Sequence, residues 1–252
     1  MRNLISGEKI VKTYGEGSEK NTVLNSVSVT VAQGEFVAVM GPSGSGKTTL
    51  MYSLGGMDGI SGGEVQFDGE PLGELKEDAL ADLRRRRMGF VFQQPTLLKN
   101  LNLLDNIVLP ALRDNRKKGV ELAKRAEGLM AKMGIGDLAK RGTTQVSGGQ
   151  LQRAGICRAL MGSPDILFGD EPTGALNSKS AGEIMDIIAG IHGEGTAMML
   201  VTHDAKVAAR AQRVLFMRDG EIVRELRFEE DEPADMDSRF EQVAETMREI
   251  EI

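Results

Sequence analysis

The sequence predicts an α/β fold in which a layered core carries an antiparallel β subdomain and an inserted helical subdomain. Three observations indicate this class. Short apolar runs alternate with helical patterns along most of the 252 residues, as in layered α/β proteins. Residues 1–35 are rich in Val and Thr, which favours antiparallel strands. Residues 95–161 instead repeat apolar side chains near every 3.6 positions, which predicts helices.

The elements of the core follow from local patterns. The apolar run from Phe36 to Met40 has the length of a buried strand, and the glycine-rich residues 41–46 after it predict a loop. A helix then begins at Lys47 and extends to about Met57. The remaining predicted elements, in chain order, are strand 61–69, helix 77–86, strand 88–93, strand 165–170, helix 178–191, strand 197–202, helix 204–211 and a strand pair over 214–226.

The same patterns divide the chain into regions. Residues 1–93 and 162–228 form the core with its β subdomain, and residues 94–161 form the helical lobe, so that one domain spans 1–228. Residues 229–252 are predicted to form an acidic linker and a C-terminal helix. Ser238 followed by Glu241 has the capping-box spacing that predicts the start of this helix. Its apolar stripe packs either on its own protein or on a partner, and it consists of Phe240, Val243, Met247 and Ile250.

Composition and charge exclude several classes of protein. No apolar run reaches the roughly 18 residues of a membrane-spanning helix, and a single cysteine, Cys157, excludes an internal disulfide. The first eight residues lack a signal core, so a cytosolic protein is expected. Residues 228–252 have a net charge of −8, and the whole chain has −6, so the remaining residues have a net charge of +2. This nearly neutral remainder lacks the basic surface of a nucleic-acid-binding protein. The run Arg84–Arg87 is either a solvated helix end or a docking patch for phosphate or an acidic partner.

The run from Gly41 to Thr48 has the spacing of a phosphate-binding loop. Its glycines are followed by a lysine and a threonine, the residue types that bind phosphate and metal in such loops. Glycines permit positive φ and close approach of backbone N–H groups to oxygen atoms. Lys47 would neutralise phosphate charge, and the Thr48 hydroxyl would bind Mg²⁺. The preceding strand and following helix argue against an ordinary glycine-rich turn.

A second chemical element is the run from Ile166 to Glu171, a buried strand that ends in two acids. Such a strand delivers Asp170 to the carboxyl edge of the sheet, where nucleotides bind in open α/β folds. Asp170 would hold Mg²⁺, and Glu171 would orient or deprotonate an attacking water. Taken alone, this pattern is usually only a strand end.

A third element, Ser147-Gly148-Gly149-Gln150, precedes a helix that extends to about Met161. Ser147 and Gln150 have capping-box spacing, so one interpretation is simply a well-capped helix. The functional interpretation is a helix N-terminus that faces a phosphate, with glycines permitting close backbone approach. Because no lysine accompanies it, this element would complete a pocket formed by other residues.

With these motifs in this order, the chain resembles the ATP-binding-cassette (ABC) ATPases over nearly its whole length. Residues 41–48 and 166–171 match the Walker A and B segments of that family, and 146–153 match its signature sequence. Gln93 is similar to the Q-loop glutamine and His203 to the switch histidine. Tyr14 stands where the family has its adenine-stacking aromatic. The resemblance implies a P-loop (RecA-like) ATPase core with an antiparallel β subdomain and an inserted helical subdomain.

The resemblance also implies a set of roles, with ATP and Mg²⁺ as ligands. The catalytic residues are Lys47, Gln93, Glu171 and His203. The nucleotide-binding residues are Tyr14, Gly41, Pro42, Ser43, Gly44, Ser45, Gly46, Lys47, Thr48, Thr49, Ser147, Gly149 and Gln150. The Mg²⁺ ligands are Thr48, Gln93 and Asp170, with Gln94 the less favoured neighbour. Two chains would form a head-to-tail dimer in which the signature residues of one face the ATP held by the other.

Two positions depart from the family pattern. Asn177 stands where many relatives have Asp in the D-loop, so it keeps hydrogen bonding but lacks the charge. Pro95 follows the paired glutamines where an aromatic is commoner, which could alter contact with a membrane subunit. His192 is interpreted as a helix C-terminal residue and Cys157 as a small buried one.

Within the family, residues 54–58, 89–94 and 169–180 most resemble the macrolide-export, lipoprotein-release and bacitracin-resistance group. That resemblance implies a bacterial motor subunit on the inner face of the cell membrane. Its partner would be a separate permease that expels or extracts peptides, lipids or lipoproteins. Two alternatives stay open: a soluble ABC protein of DNA repair or translation, and a regulator of cell-wall hydrolases that transports nothing. A P-loop kinase is disfavoured, because kinases need no Ser-Gly-Gly-Gln element.

Overall fold

The computed structural model describes residues 2–113, 116–228 and 235–251. The chain forms two compact units, one made of Met1–Ala81 with Gly195–Ile252 and the other of Asp82–Glu194. The strands are β1 (Asn3–Tyr14), β2 (Asn21–Ala32), β3 (Phe36–Met40), β4 (Gly62–Phe67), β5 (Glu70–Pro71), β6 (Met88–Phe92), β7 (Ile166–Asp170), β8 (Ala197–Val201), β9 (Arg213–Arg218) and β10 (Glu221–Arg227). The α-helices are α1 (Lys47–Leu54), α2 (Glu77–Arg87), α3 (Leu103–Leu112), α4 (Gly119–Lys132), α5 (Gly148–Leu160), α6 (Ser178–Gly193), α7 (Ala205–Ala208) and α8 (Met236–Glu249).

The first unit contains the predicted antiparallel sheet. Its strands lie in the order β2-β1-β4-β5, and β1 pairs antiparallel with both β2 and β4. The first strands, β1 and β2, are each 12 residues long, and their side chains alternate between buried and exposed over much of that length. That alternation places one face of the sheet on a core and leaves the other in solvent, as expected for antiparallel strands.

A second set of strands in the same unit positions the glycine loop. The order is β10-β9-β3-β8, with β3 parallel to both β8 and β9. Every residue of β3 and β8 is buried, which explains why both segments are continuously apolar. The loop that follows β3 is therefore anchored to a fully buried strand.

Helix α1 begins at Lys47 as predicted but ends earlier than expected, at Leu54 instead of Met57. Two glycines follow, and Gly56 adopts φ +62°, which ends the helical path. Helix α7 is also shorter than the predicted 204–211; it spans four residues and is capped by Asp204.

The second unit contains the parallel pair β6 and β7 and the helices α3 to α6. The predicted helical segment 94–161 holds α3, α4 and α5, whose buried side chains include Leu103, Ile107 and Met130. Cys157 in α5 is fully buried, and that burial raises the pKa of its thiol to about 12. A thiol in this setting stays protonated and packs as a small apolar group.

The basic run Arg84–Arg87 is not simply a solvated helix end. Arg85 donates to Asp82 at 2.8 Å, and its side chain is only 14% exposed. Arg87 donates to Asp165, just before β7, at 2.6 Å. The interpretation as a solvated helix end is therefore wrong for Arg85, whereas the side chain of Arg87 stays 38% exposed beside its partner.

The C-terminal helix α8 begins before the predicted capping box. Asp235 is its N-cap, accepting from the Asp237 N–H at 3.1 Å, so Ser238 lies inside the helix. The predicted apolar stripe packs on its own unit: Val243 is fully buried, and Arg218 donates to the Ile250 carbonyl at 3.0 Å. Residues 229–234 of the predicted acidic linker lie outside the described residues. No helix in the described part of the chain combines the length and apolarity needed to cross a membrane.

Candidate functional site: a phosphate loop and a capped helix

The loop between β3 and α1 depends on its glycines. Gly41, Gly44 and Gly46 adopt φ of +152°, +82° and +97°, values that side-chain-bearing residues rarely adopt. A Cβ at Gly46 would lie 2.8 Å from the Val23 carbonyl oxygen, and one at Gly41 would collide with the Met217 carbonyl oxygen. The backbone therefore forms a tight cradle that opens directly into the N-terminus of α1, the arrangement that binds phosphate.

Lys47 is the charged group of this cradle. Its ammonium donates to the carbonyl oxygens of Gly41 and Pro42, at 2.9 and 2.8 Å, and the residue is buried. These bonds fix the ammonium at the loop itself, where phosphate oxygens would meet it. Pro42, Ser43 and Gly44 are exposed at the rim. The remaining predicted residues of this segment are Ser45, which is buried, and Thr48 and Thr49, which are half-buried.

The parallel pairing of β3 and β8 brings His203 to the same edge of the sheet as the loop. Val39 and Val201 are register partners, and the Thr202 N–H donates to the Val39 carbonyl at 3.0 Å. Both strands thus end together, and His203 follows β8 as the loop follows β3. The His203 side chain is exposed at this edge, as a phosphate sensor requires.

Tyr14 ends β1 and is 43% exposed, so a base can reach its ring. Its hydroxyl donates to the carboxylate of Asp58, and Thr49 also hydrogen-bonds it. Partial burial and the hydrogen bond to Asp58 raise the pKa of Tyr14 above its ordinary value, while Thr49 acts in the opposite sense. The phenol is therefore neutral and acts as a donor at physiological pH.

The second unit brings Gln93, Asp170 and Glu171 together. Strands β6 and β7 are parallel with Phe92 opposite Asp170, so Gln93 and Glu171 leave the pair side by side. A Cβ added at Gly174 would lie 2.8 Å from Gln93 Nε2 and 3.1 Å from Glu171 Oε2. The amide and the carboxylate therefore converge on one glycine, which leaves room for both.

Glu171 is held in an unusual backbone conformation. Its φ is +45°, in the left-handed region, which costs about 1 kcal/mol or more for a residue with a side chain. The Gly174 N–H donates to the Glu171 carbonyl at 2.9 Å and closes the turn. Strained residues of this kind cluster at active sites, and this one carries the predicted catalytic base.

The signature residues form a complete capping box. The Ser147 hydroxyl accepts from the Gln150 N–H at 3.3 Å, and the Gln150 side chain accepts from the Ser147 N–H at 2.8 Å. Ser147 is exposed, and Gly149 and Gln150 are half-buried. The interpretation as a well-capped helix is therefore confirmed. Phosphate binding at this helix N-terminus stays a prediction, with which the exposed position of Ser147 is compatible.

The departure at Asn177 has a structural role. Its side chain accepts from the Ser180 N–H at 2.9 Å and caps α6. Asn and Asp are about equally good N-caps, so the uncharged residue keeps the geometry of the segment.

Sequence reasoning missed three residues that support the site. Gln152 of α5 is 1% exposed and donates to the Phe92 carbonyl at 3.0 Å, tying the signature helix to the residue before Gln93. Lys12 and Asp58 contact Tyr14. Lys12 and Tyr14 are two residues apart on one strand, so the sequence could have indicated that their side chains share a face of β1. The contacts of Asp58 and Gln152 join residues far apart in the chain, and no local sequence pattern indicates them.

Each unit thus gathers one part of the predicted site. Tyr14, residues 41–49 and His203 belong to the first unit. Gln93, Asp170, Glu171 and residues 147–150 belong to the second. The predicted metal ligands Thr48, Gln93 and Asp170 offer hydroxyl, amide and carboxylate oxygens, the hard donors that Mg²⁺ prefers. The chemistry of this donor set and the glycine cradle both fit a magnesium nucleotide.

Comparison with known proteins supports this assignment. The model of the ABC transporter family matches residues 24–174. The macrolide export ATP-binding/permease protein MacB of Aggregatibacter actinomycetemcomitans is 42% identical over 221 residues, which are 88% of this chain and 34% of that protein. This chain thus spans about a third of the length of such relatives. An uncharacterized ABC transporter ATP-binding protein of Methanocaldococcus jannaschii is 40% identical over 87% of this chain and 98% of its own.

Solved structures agree. The dimeric structure of MJ0796, a bacterial ABC transporter cassette, has a TM-score of 0.83 and 38% identity over 89% of this chain and 99% of that one. A post-hydrolysis dimer of the same cassette, bound to ADP and Pi, has a TM-score of 0.76. With the phosphate cradle, the acidic strand end and the capped signature helix all in place, the chain belongs to the ABC transporter family, as one of its ATP-hydrolysing cassettes.

Proposed function

We propose that this chain is the motor subunit of a bacterial ABC exporter, which binds Mg²⁺-ATP, dimerises around two nucleotides and drives a separate permease. The observation that carries the proposal is the capped N-terminus of α5, where Ser147 is exposed and no lysine accompanies the Ser-Gly-Gly-Gln segment. A helix end of this kind suits an anion presented by another chain. Structures of a related cassette are dimers, which supports the same arrangement for this chain.

The proposed chemistry assigns each side chain a task. The loop and Lys47 hold the β- and γ-phosphates, Tyr14 stacks on adenine, and Ser147, Gly149 and Gln150 of a second copy meet the γ-phosphate. Magnesium, held by Thr48, Gln93 and Asp170, would neutralise charge on the phosphates. Dimerisation is then ATP-dependent, because the γ-phosphate is the group that both chains hold.

Hydrolysis in this proposal needs a base and a sensor. Glu171 accepts a proton from water while the water oxygen bonds to the γ-phosphorus, and ADP leaves with the bridging oxygen. His203 contacts the γ-phosphate, and Gln93 reports its presence to the helical segment. The contact of Gln152 with the Phe92 carbonyl supports this route, because it ties α5 to the segment that carries Gln93.

The substrate class and the partner are extrapolations from relatives. Proteins named for macrolide export and syringafactin export are about 40% identical to this chain. We propose that the chain works at the inner face of the cell membrane with a permease that expels or extracts peptides, lipids or lipoproteins. Copurification of a permease from mild detergent extracts tests this assignment, and repeated failure to recover one counts against it.

The variant Glu171→Gln tests the enzymatic proposal. It removes the base and keeps the shape, so ATP binding should persist while turnover falls by about 10²-fold or more. Size-exclusion chromatography should then show a dimer with ATP and a monomer with ADP. Turnover at the wild-type rate would exclude Glu171 as the base, and a monomer in saturating ATP would contradict the shared-nucleotide arrangement.

A further inference from the structure

Asp58 uses both carboxylate oxygens to hold two side chains of β1. Its Oδ1 lies 2.5 Å from the Lys12 ammonium, and its Oδ2 accepts from the Tyr14 hydroxyl. The Lys12 ammonium also donates to the Gly59 carbonyl at 2.5 Å. Asp58 itself is tied to α1, since its N–H donates to the Tyr52 carbonyl at 3.2 Å. This cluster therefore joins the strand that carries Tyr14 to the helix that begins at the phosphate loop.

Lys12 covers one face of the tyrosine ring. Its ammonium lies 4.7 Å from the ring centroid, within the range of a cation–π contact, and its side chain is only 11% exposed. A nearly buried cation needs a fixed partner, and here the carboxylate and the ring provide one. Since the cation occupies this face, a flat ligand can stack only on the opposite one.

We propose that Asp58 is a positioning residue for nucleotide binding, which together with Lys12 fixes the Tyr14 ring so that one face is presented to the adenine base. The hydroxyl is held at one end and one face is closed, so the ring loses little further freedom when a base stacks on it. Binding to a preorganised surface is tighter because the ordering cost is already met in the free protein. The inference rests on the proposed function, ATP binding at the loop.

The charge state of the cluster suits this role. Partial burial works to raise the pKa of Asp58, but hydrogen bonds from Lys12 and Tyr14 and the Lys12 charge outweigh it, so the pKa lies below its ordinary value. The carboxylate is thus charged and accepts from both partners at neutral pH. The hold on the ring is therefore in place throughout the physiological range.

The test compares two ligands, ATP and inorganic tripolyphosphate, which has the phosphates but no base. In Asp58→Asn the Kd for ATP should rise about fivefold. This change corresponds to only part of the binding free energy that a base–aromatic stack contributes. The Kd for tripolyphosphate should stay within about twofold of wild type, since the loop is untouched. Tyr14→Phe keeps the ring and loses only the hydroxyl, so it should raise the Kd for ATP by about threefold. When Tyr14→Phe is already present, adding Asp58→Asn should raise the Kd for ATP by a smaller factor than it does in the wild type.

Asp68→Asn is the matched control, because it removes another carboxylate of the same unit that pairs with Arg2. It should leave both affinities unchanged. Wild-type ATP affinity in both Asp58→Asn and Tyr14→Phe would overturn the inference, as would equal weakening of ATP and tripolyphosphate in Asp58→Asn. If Asp58→Asn fails to fold, wild-type ATP affinity in Tyr14→Phe overturns it alone. A wild-type protein that binds neither ligand refutes the proposed function itself.

Discussion

The variant Ser147→Ala separates the two roles of the signature serine. As a cap, its hydroxyl oxygen accepts one bond from the Gln150 N–H, while the Gln150 side chain bonds the Ser147 backbone and would remain in the variant. Loss of an N-cap costs about 1 kcal/mol, which lowers the Tm of a protein of this size by roughly 2–4 °C. The cap uses only a lone pair, so the hydroxyl hydrogen can be donated to a phosphate oxygen.

The catalytic effect should be much larger than the structural one. A hydrogen bond to a charged group contributes about 1.5–3 kcal/mol, so turnover should fall roughly 10- to 100-fold. The assay is phosphate release at saturating ATP, paired with thermal unfolding. Asn102→Ala is the matched control: Asn102 caps α3 by accepting from Asp105 at 2.8 Å, and it has no role in the proposed site.

The two variants should therefore lose similar stability and very different activity. Equal activities of Ser147→Ala and Asn102→Ala, with both near wild type, would refute the idea that the serine meets a phosphate. The serine would then be only a cap, as the simpler interpretation of the sequence had it.

Three other predictions follow from single sites. Gly46→Ala should lower the Tm more than Gly44→Ala, because both add strain at positive φ but only Gly46 has a backbone carbonyl within 2.8 Å of the added atom; equal losses would contradict the cradle packing. An absorbance titration of phenolate should show Tyr14 ionising above its ordinary pKa, and Asp58→Asn should move that titration to lower pH; an unchanged titration would show that Asp58 does not perturb the phenol. Arg213→Met should destabilise the protein by about 3 kcal/mol in chemical denaturation, because its side chain is 5% exposed, forms an ion pair with Glu35 at 2.7 Å and donates a hydrogen bond to it at 3.1 Å; a loss below 1 kcal/mol would show that the pair contributes little.

The sequence was informative wherever the physics is local. The capping box at Ser147 depends on residues three apart, and the loop at Gly41 depends on glycines within one turn, so both were predicted correctly. The buried strands β3 and β8 were recognisable because a strand covered on both faces is continuously apolar. Local patterns also misled: Ser238 has capping spacing, yet Asp235 lies earlier and caps α8.

By itself, then, the sequence determined the order of the elements and the chemical types at each motif, because these follow from periodicity and turn chemistry. Only the tertiary structure decided which partners meet. Asp58 reaches Tyr14 across 44 residues, and Gln152 reaches the Phe92 carbonyl across 60. It also set the left-handed backbone of Glu171, a conformation that surrounding packing imposes against local preference. Such contacts depend on strand register and helix packing, which no short window of sequence encodes.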